Sequence, residues 1–72
     1  MTKDELQRAL IAAHEDGDRA VLSALYTRAA DAAETPEEAA FFLTHAYVFA
    51  LDAGSKAAPE LRARLVRAGA ER

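Results

Sequence analysis

The residues that could carry out chemistry are few and lie far apart along the chain. The sequence has 72 residues with two histidines, His14 and His45, two serines, four threonines and no cysteine. A catalytic nucleophile needs a base beside it and a third group that orients the base. No spacing in this sequence supplies that set, and the lack of cysteine excludes thiolate catalysis, disulfides and cysteine-bound zinc. We therefore expect no enzymatic activity and no catalytic residue.

The carboxylates that follow His14 do not form a metal-binding pattern. Glu15, Asp16 and Asp18 come directly after it, but adjacent residues of a helix point in different directions, and no second ligand follows at i+4. Their spacing also differs from the alternating ligands of a calcium loop. The three glycines lie too far apart for a phosphate-binding loop. The sequence therefore predicts no metal, no cofactor and no small-molecule substrate.

The charge of the chain is divided between its two ends. Residues 1–53 carry four basic and ten acidic side chains, a balance of −6, whereas residues 54–72 carry five basic and two acidic ones, a balance of +3. The acidic part would repel nucleic acid and anionic lipid. Arg62, Arg64, Arg67 and Arg72 offer contacts to phosphates, but no aromatic residue near them could stack on a base. We expect a solvated helix face here and no nucleic-acid partner.

Composition also suggests where the protein acts. No apolar run reaches the roughly 18 residues that span a membrane, so we expect no membrane partner. Lys3, Asp4 and Glu5 precede the first apolar segment, which argues against a secretory signal. The chain has seven arginines, two lysines and 19 alanines, a bias typical of GC-rich bacterial genes. We expect a small acidic protein of the bacterial cytoplasm.

Four helices, at about residues 3–16, 18–33, 36–53 and 56–68, are predicted within a single domain spanning residues 1–72. Thr2 with Glu5 forms a capping box at the first helix, and Gly17 suits the left-handed position that ends it. Asp18 is a cap for the second helix, and Thr35 followed by Pro36 marks the start of the third. Gly54 ends the third helix, and Pro59 is tolerated in the first turn of the fourth.

The short connections favour an all-α fold of two antiparallel helical hairpins stacked on each other. A shift of 37 residues supports this arrangement, because it superposes Leu6 on Leu43 and Gly17 on Gly54. Such self-similarity is typical of repeated helical hairpins.

Gly17, Tyr26 and Ala29 have spacings that resemble those of tetratricopeptide repeats, over roughly residues 6–34. The sequence departs from that pattern at Leu22 and Pro59, which stand where the family has small residues. The resemblance is architectural, a TPR-like small bundle, and it implies a scaffold that binds a peptide or protein and has no chemistry of its own.

The third helix has an unusual outer side. At about 100° per residue, Phe41 and Val48 fall among the polar residues Thr44, His45 and Asp52, whereas Leu43, Ala46, Ala50, Phe42 and Phe49 fall on the opposite half. We expect His45 on the polar, exposed side. Apolar anchors ringed by polar groups are typical of binding surfaces. The sequence therefore predicts protein-binding residues at Phe41, Val48, His45 and Thr44, unless the first or fourth helix covers them.

Three functional hypotheses follow. The first is a non-catalytic protein–protein interaction module or adaptor that docks a partner or a second copy, as a dimer, through the outward apolar patch of the third helix. The second is a small acidic regulator or inhibitor that masks a basic site on a larger protein. The third is an accessory subunit of a complex, since a chain this short has a thin core that a partner can stabilise.

Overall fold

The computed structural model describes residues 1–69, and within them it contains four α-helices and no strand. Helix α1 spans Lys3–Asp16, α2 spans Arg19–Asp31, α3 spans Pro36–Asp52 and α4 spans Ala58–Arg67. The predicted all-α class is confirmed. Arg72, one of the arginines considered for phosphate contacts, lies outside the described residues.

The first three helices begin at side-chain caps, as predicted. Glu5 N–H donates to Oγ1 of Thr2 at 3.1 Å, and Thr2 N–H donates to Oε1 of Glu5 at 3.2 Å. The carboxylate of Asp18 accepts from Val21 N–H at 3.2 Å. Each cap satisfies backbone donors that have no partner inside the helix, so local sequence alone fixes where these helices start.

Helices α2 and α4 are each three residues shorter than predicted and α3 is one residue shorter, because their outer residues form the connections. Helix α2 ends at Asp31, and only four residues precede Pro36, so the chain must reverse direction within them. Helix α4 begins at Ala58 and has no side-chain cap. Ser55 Oγ accepts from Ala57 N–H at 3.1 Å, which keeps this segment in a turn before the helix begins.

The two hairpin turns have the same backbone geometry. Gly17 and Gly54 have φ of 68° and 65°, the left-handed conformation that glycine adopts at little cost. After each glycine the next N–H reaches back into the helix, from Asp18 to the Ala13 carbonyl at 3.2 Å and from Ser55 to the Ala50 carbonyl at 2.8 Å. These bonds close the C-terminus of α1 and of α3 in the same way.

Among the described residues, helix backbones approach each other closely only between helices that are neighbours in the chain. Cα atoms lie within 8 Å between α1 and α2, α2 and α3, and α3 and α4, and between no other pair of the described helices. The Arg19–Asp52 ion pair at 3.9 Å joins the start of α2 to the end of α3, which makes this central pair antiparallel. Each hairpin therefore contributes one helix to the centre, α2 from the first and α3 from the second.

Two small cores hold the hairpins together. The larger one joins α3 to α4 and the end of α2, and consists of Ala30, Leu43, Ala46, Ala50, Ala58, Leu61 and Leu65. The smaller one joins α1 to α2, and consists of Ala13, Leu22 and Leu25. Tyr26 packs against both cores, so this one side chain connects the two halves of the molecule.

The contact between α2 and α3 depends on small residues. Ala46 and Ala50 are completely buried, and alanine allows two helix backbones to approach closely. Buried Ser23 donates from Oγ to the Ala46 carbonyl at 2.8 Å, which satisfies its hydroxyl in the core. Because α2 and α4 cover this side of α3, the opposite side of α3 is exposed to solvent.

Candidate functional site

The predicted binding residues lie on the uncovered side of α3. The side chain of Phe41 is 58% exposed and that of Val48 is 47% exposed. Thr44 is also exposed, and its Oγ1 donates to the Ala40 carbonyl at 2.8 Å. Neither α1 nor α4 covers this surface, so the alternative in which Phe41 becomes part of the core does not occur.

The exposed surface extends one turn further than predicted. Leu51 is 54% exposed and follows Phe41, Thr44 and Val48 at helical spacing. We call these four residues the α3 stripe. A helical projection places Leu51 about 20° from Thr44, so the signal was present in the sequence and was missed. The stripe has three large apolar side chains along one line of the central helix.

His45 is half-buried, not exposed on a polar side as expected. Its ring packs between two aromatic rings, with its centroid 4.6 Å from that of Phe41 and 5.0 Å from that of Tyr26. Its Nδ1 lies 2.9 Å from the Phe41 carbonyl. Because a carbonyl can only accept, Nδ1 carries the proton in this bond. The imidazole therefore orients Phe41 and links the α3 stripe to the core.

The aromatic cluster around Tyr26 was not predicted. Tyr26 and Phe49 stack at 5.8 Å with 9° between their planes, and the Tyr26 hydroxyl is hydrogen-bonded to Nε2 of His14 at 3.0 Å. His14 is exposed, as expected for a helix end, but its ring also meets Phe49 edge-on at 5.9 Å. The cluster fixes the last turn of α1 against α2 and α3. Only the packing of three helices brings these residues together.

A groove separates the first part of α1 from the first part of α3. Its volume is about 340 Å³. Residues of α1 form one wall, α3 forms the other, and Ala29 of α2 lies at the bottom with Ala32, the residue that follows α2. The lining consists of Lys3, Leu6, Gln7, Leu10, Ala29, Ala32, Glu38 and Phe42. We call this the α1–α3 groove. The ring contact of His14 with Phe49 joins the last turn of α1 to α3, at the opposite end of α1 from the groove.

A smaller hollow lies beside the α3 stripe. It has a volume of about 230 Å³ and is lined by Thr44, His45, Val48 and Phe49. Three of its four lining residues are predicted binding residues. Exposed apolar groups next to a shallow hollow are the usual components of a docking surface.

One of the arginines considered for phosphate contacts forms an ion pair within the fold. Arg64 is half-buried and donates from Nη2 to the Asp31 carboxylate at 2.6 Å, which ties α4 to the end of α2. Within residues 1–69 no three histidine or carboxylate side chains come together in a way that could hold a metal. No helix in the same range has the length and apolar character needed to cross a membrane.

Comparison with family models, with curated proteins and with solved structures found no match to this chain.

Proposed function

We propose that the protein is a non-catalytic interaction module of the bacterial cytoplasm that docks a protein partner through the α3 stripe and the adjacent His45. The observation that supports this proposal is the exposure of Phe41, Val48 and Leu51, at 58%, 47% and 54%, on the helix that forms the centre of the fold. Burying such side chains against a partner is favourable by roughly 25 cal/mol per Å² of apolar area.

The main anchor of this surface is already oriented. Phe41 packs edge-on against Phe42 at 5.5 Å and lies against the His45 ring, so its side chain loses little freedom when a partner binds. Aromatic anchors with restricted rotamers contribute strongly to binding because less ordering is required. Thr44 and His45 provide the polar surroundings of this anchor.

Two matched valine variants test the proposal. Val48 on the α3 stripe and Val66 on α4 are each 47% exposed, so an aspartate at either position should change folding to a similar, small extent. Affinity-tagged wild type, Val48→Asp, Phe41→Asp and Val66→Asp are expressed in the native host, and the proteins that co-purify are identified. We expect a partner that is retained by wild type and Val66→Asp and lost by Val48→Asp and Phe41→Asp.

The outcomes separate the α3 stripe from other surfaces. A partner that is retained by all four versions would contradict the assignment of the stripe. Loss of the partner in Val66→Asp alone would move the docking surface to α4. A preparation that contains only the chain itself, with a dimer that Val48→Asp dissociates, would assign the stripe to self-association.

A second candidate is an acidic regulator that masks a basic site on a larger protein. It is favoured by the exposure of all ten carboxylates between Asp4 and Asp52, since such a surface steers positively charged partners. The salt dependence of binding distinguishes the two candidates. Affinity should fall steeply with salt for an electrostatic regulator and change little for apolar docking. Docking through the α3 stripe also suits an accessory subunit, and a low, broad thermal transition of the isolated chain would favour that role.

A further inference from the structure

We propose that the α1–α3 groove receives an amphipathic helix of the partner whose apolar side is flanked by lysine or arginine. The inference rests on the proposed docking function and specifies the chemistry of the partner. It concerns a surface that is distinct from the α3 stripe, so the two can be tested separately.

The apolar side chains that line the groove are packed on one side and open to solvent on the other. Leu6 and Leu10 pack against the smaller core on one side and are only half-buried. Phe42 faces them from α3 across a volume of about 340 Å³. No Cα atom of α1 lies within 8 Å of a Cα atom of α3. The space between the two helices is therefore left open by the described residues. Covering these three side chains would remove apolar surface from water, which favours binding.

The shape of the groove suits a helix. Its longer wall consists of residues 3–10 of α1, which extend over about 12 Å at 1.5 Å per residue. Its floor consists of Ala29 and Ala32, which are small enough for another helix to approach closely. A partner helix of about two turns, with apolar residues at i, i+3, i+4 and i+7, matches this length and the spacing of Leu6 and Leu10.

The charges around the groove select a basic partner. The first halves of α1 and α3, which form the groove, carry two basic and four acidic residues, a balance of −2, and α3 has no basic residue. Glu38 is part of the groove wall. The one lysine in the lining, Lys3, lies 3.6 Å from the carboxylate of Glu34, so its charge is opposed. Complementary charge at the edges of an apolar interface sets the choice and orientation of the partner.

A second copy of the chain is a poorer fit. The described helix with the largest positive charge is α4, but it already directs Leu61 and Leu65, 3% and 4% exposed, into its own core. Helix α4 could place these leucines in the groove of another copy only if it first detached from its own core. The partner helix therefore comes from another protein.

Two designed peptides provide the probe. Both are fluorescein-labelled 14-residue helices with leucine at i, i+3, i+4 and i+7, one with lysine and the other with glutamate on the flanks. We expect the lysine peptide to bind the full chain at least about tenfold more tightly at low salt. The difference should shrink as the ionic strength rises, because salt screens exposed charges.

A pair of alanine variants locates the binding. Ala32→Phe places a ring on the floor of the groove without removing any core side chain. Ala12→Phe adds the same ring at an exposed position on the opposite side of α1. Both variants are checked for native helicity by circular dichroism. We expect Ala32→Phe to weaken the lysine peptide at least about tenfold and Ala12→Phe to leave its affinity unchanged.

Four outcomes would overturn the inference. These are equal binding of both peptides, binding of neither, equal effects of Ala32→Phe and Ala12→Phe, and a wild-type dimer that Ala32→Phe dissociates. Binding of dodecanoate that Ala32→Phe abolishes, with no binding of the lysine peptide, would assign the groove to a small apolar molecule. If the peptides fail while Val48→Asp still abolishes capture of the native partner, the groove assignment is wrong and the docking function stands.

Discussion

The two terminal helices are attached to the centre of the molecule in different ways. Helix α4 directs Ala58, Leu61 and Leu65 into the larger core, with exposures of 6%, 3% and 4%. Helix α1 has one buried residue, Ala13, and its two large leucines, Leu6 and Leu10, are only half-buried. Helix α4 therefore packs closely on the pair formed by α2 and α3, whereas α1 leaves a groove between itself and α3.

At their N-termini the two helices show the reverse: α1 is the better stabilised of the two. Helix α1 begins with a complete capping box, whereas α4 begins at Ala57 and Ala58 without a side-chain cap. Isolated helices of this length are marginal in water, so each needs support from its own ends or from its neighbours. Helix α1 depends more on its local cap, and α4 depends more on burial.

This contrast indicates which side of the molecule is open to the proposed partner. A helix that is stabilised by its own cap can keep its shape while one side remains unpaired. A helix that is stabilised by burial must be packed before it is stable. The docking surfaces proposed here therefore lie on the side of α1 and along the open face of α3, and not on the side that α4 occupies.

The largest expected effect is a loss of stability when the packing of α4 is disturbed, compared with the same change in α1. Leu61→Ala leaves a cavity beside α3 and should lower the free energy of unfolding by roughly 2–5 kcal/mol. Leu10→Ala removes a half-buried side chain and should cost only about 1 kcal/mol. Urea unfolding followed by circular dichroism at 222 nm measures both. Equal losses in the two variants would mean that α1 is as tightly packed as α4.

Local signals in the sequence explain why the helix starts were predicted correctly. Thr2, Asp18 and Thr35 each hold a backbone N–H three residues ahead, and this bond depends on nearby residues alone. The second hairpin turn was harder to predict, because Ser55 and Ala57 form a hydrogen-bonded turn where a fourth helix was expected to begin. The helix there starts only at Ala58, once Leu61 can enter the core.

The candidate site was predictable only where it lies on one helix. Helical periodicity placed Phe41 and Val48 on the outer side of α3, and the same projection would have found Leu51. His45 was placed on a polar side because a projection does not show Tyr26, which reaches it from α2. The α1–α3 groove has no counterpart in the sequence, because it depends on how α1 and α3 are placed on either side of α2 in the fold.

A smaller effect on stability is expected from the ion pairs, one made by α4 and the other by α1. Arg64 and Asp31 lie 2.6 Å apart with side chains 28% and 59% exposed, whereas Lys3 and Glu34 lie 3.6 Å apart with side chains 86% and 78% exposed. Exposed pairs contribute little because water screens them. Arg64→Met should cost up to about 1 kcal/mol and Lys3→Met close to nothing. Urea unfolding in low and high salt measures this difference, and a larger loss from Lys3→Met would reverse the comparison.

The smallest effect concerns the cap on which α1 depends. The backbone hydrogen bond from Thr2, and then the side-chain bond from the same residue, lower the pKa of Glu5 from its ordinary value of 4.5. A carboxyl group whose pKa is lower in the folded state stabilises the fold above its unfolded pKa and loses this contribution as the pH falls through its folded pKa. The cap of α1 should therefore weaken below about pH 4.5. An NMR titration of Glu5 should give a pKa below 4.5 in wild type and a higher one in Thr2→Ala. A Glu5 pKa that is not lowered in wild type would show that the cap is not formed in solution, and α1 would then need another source of support.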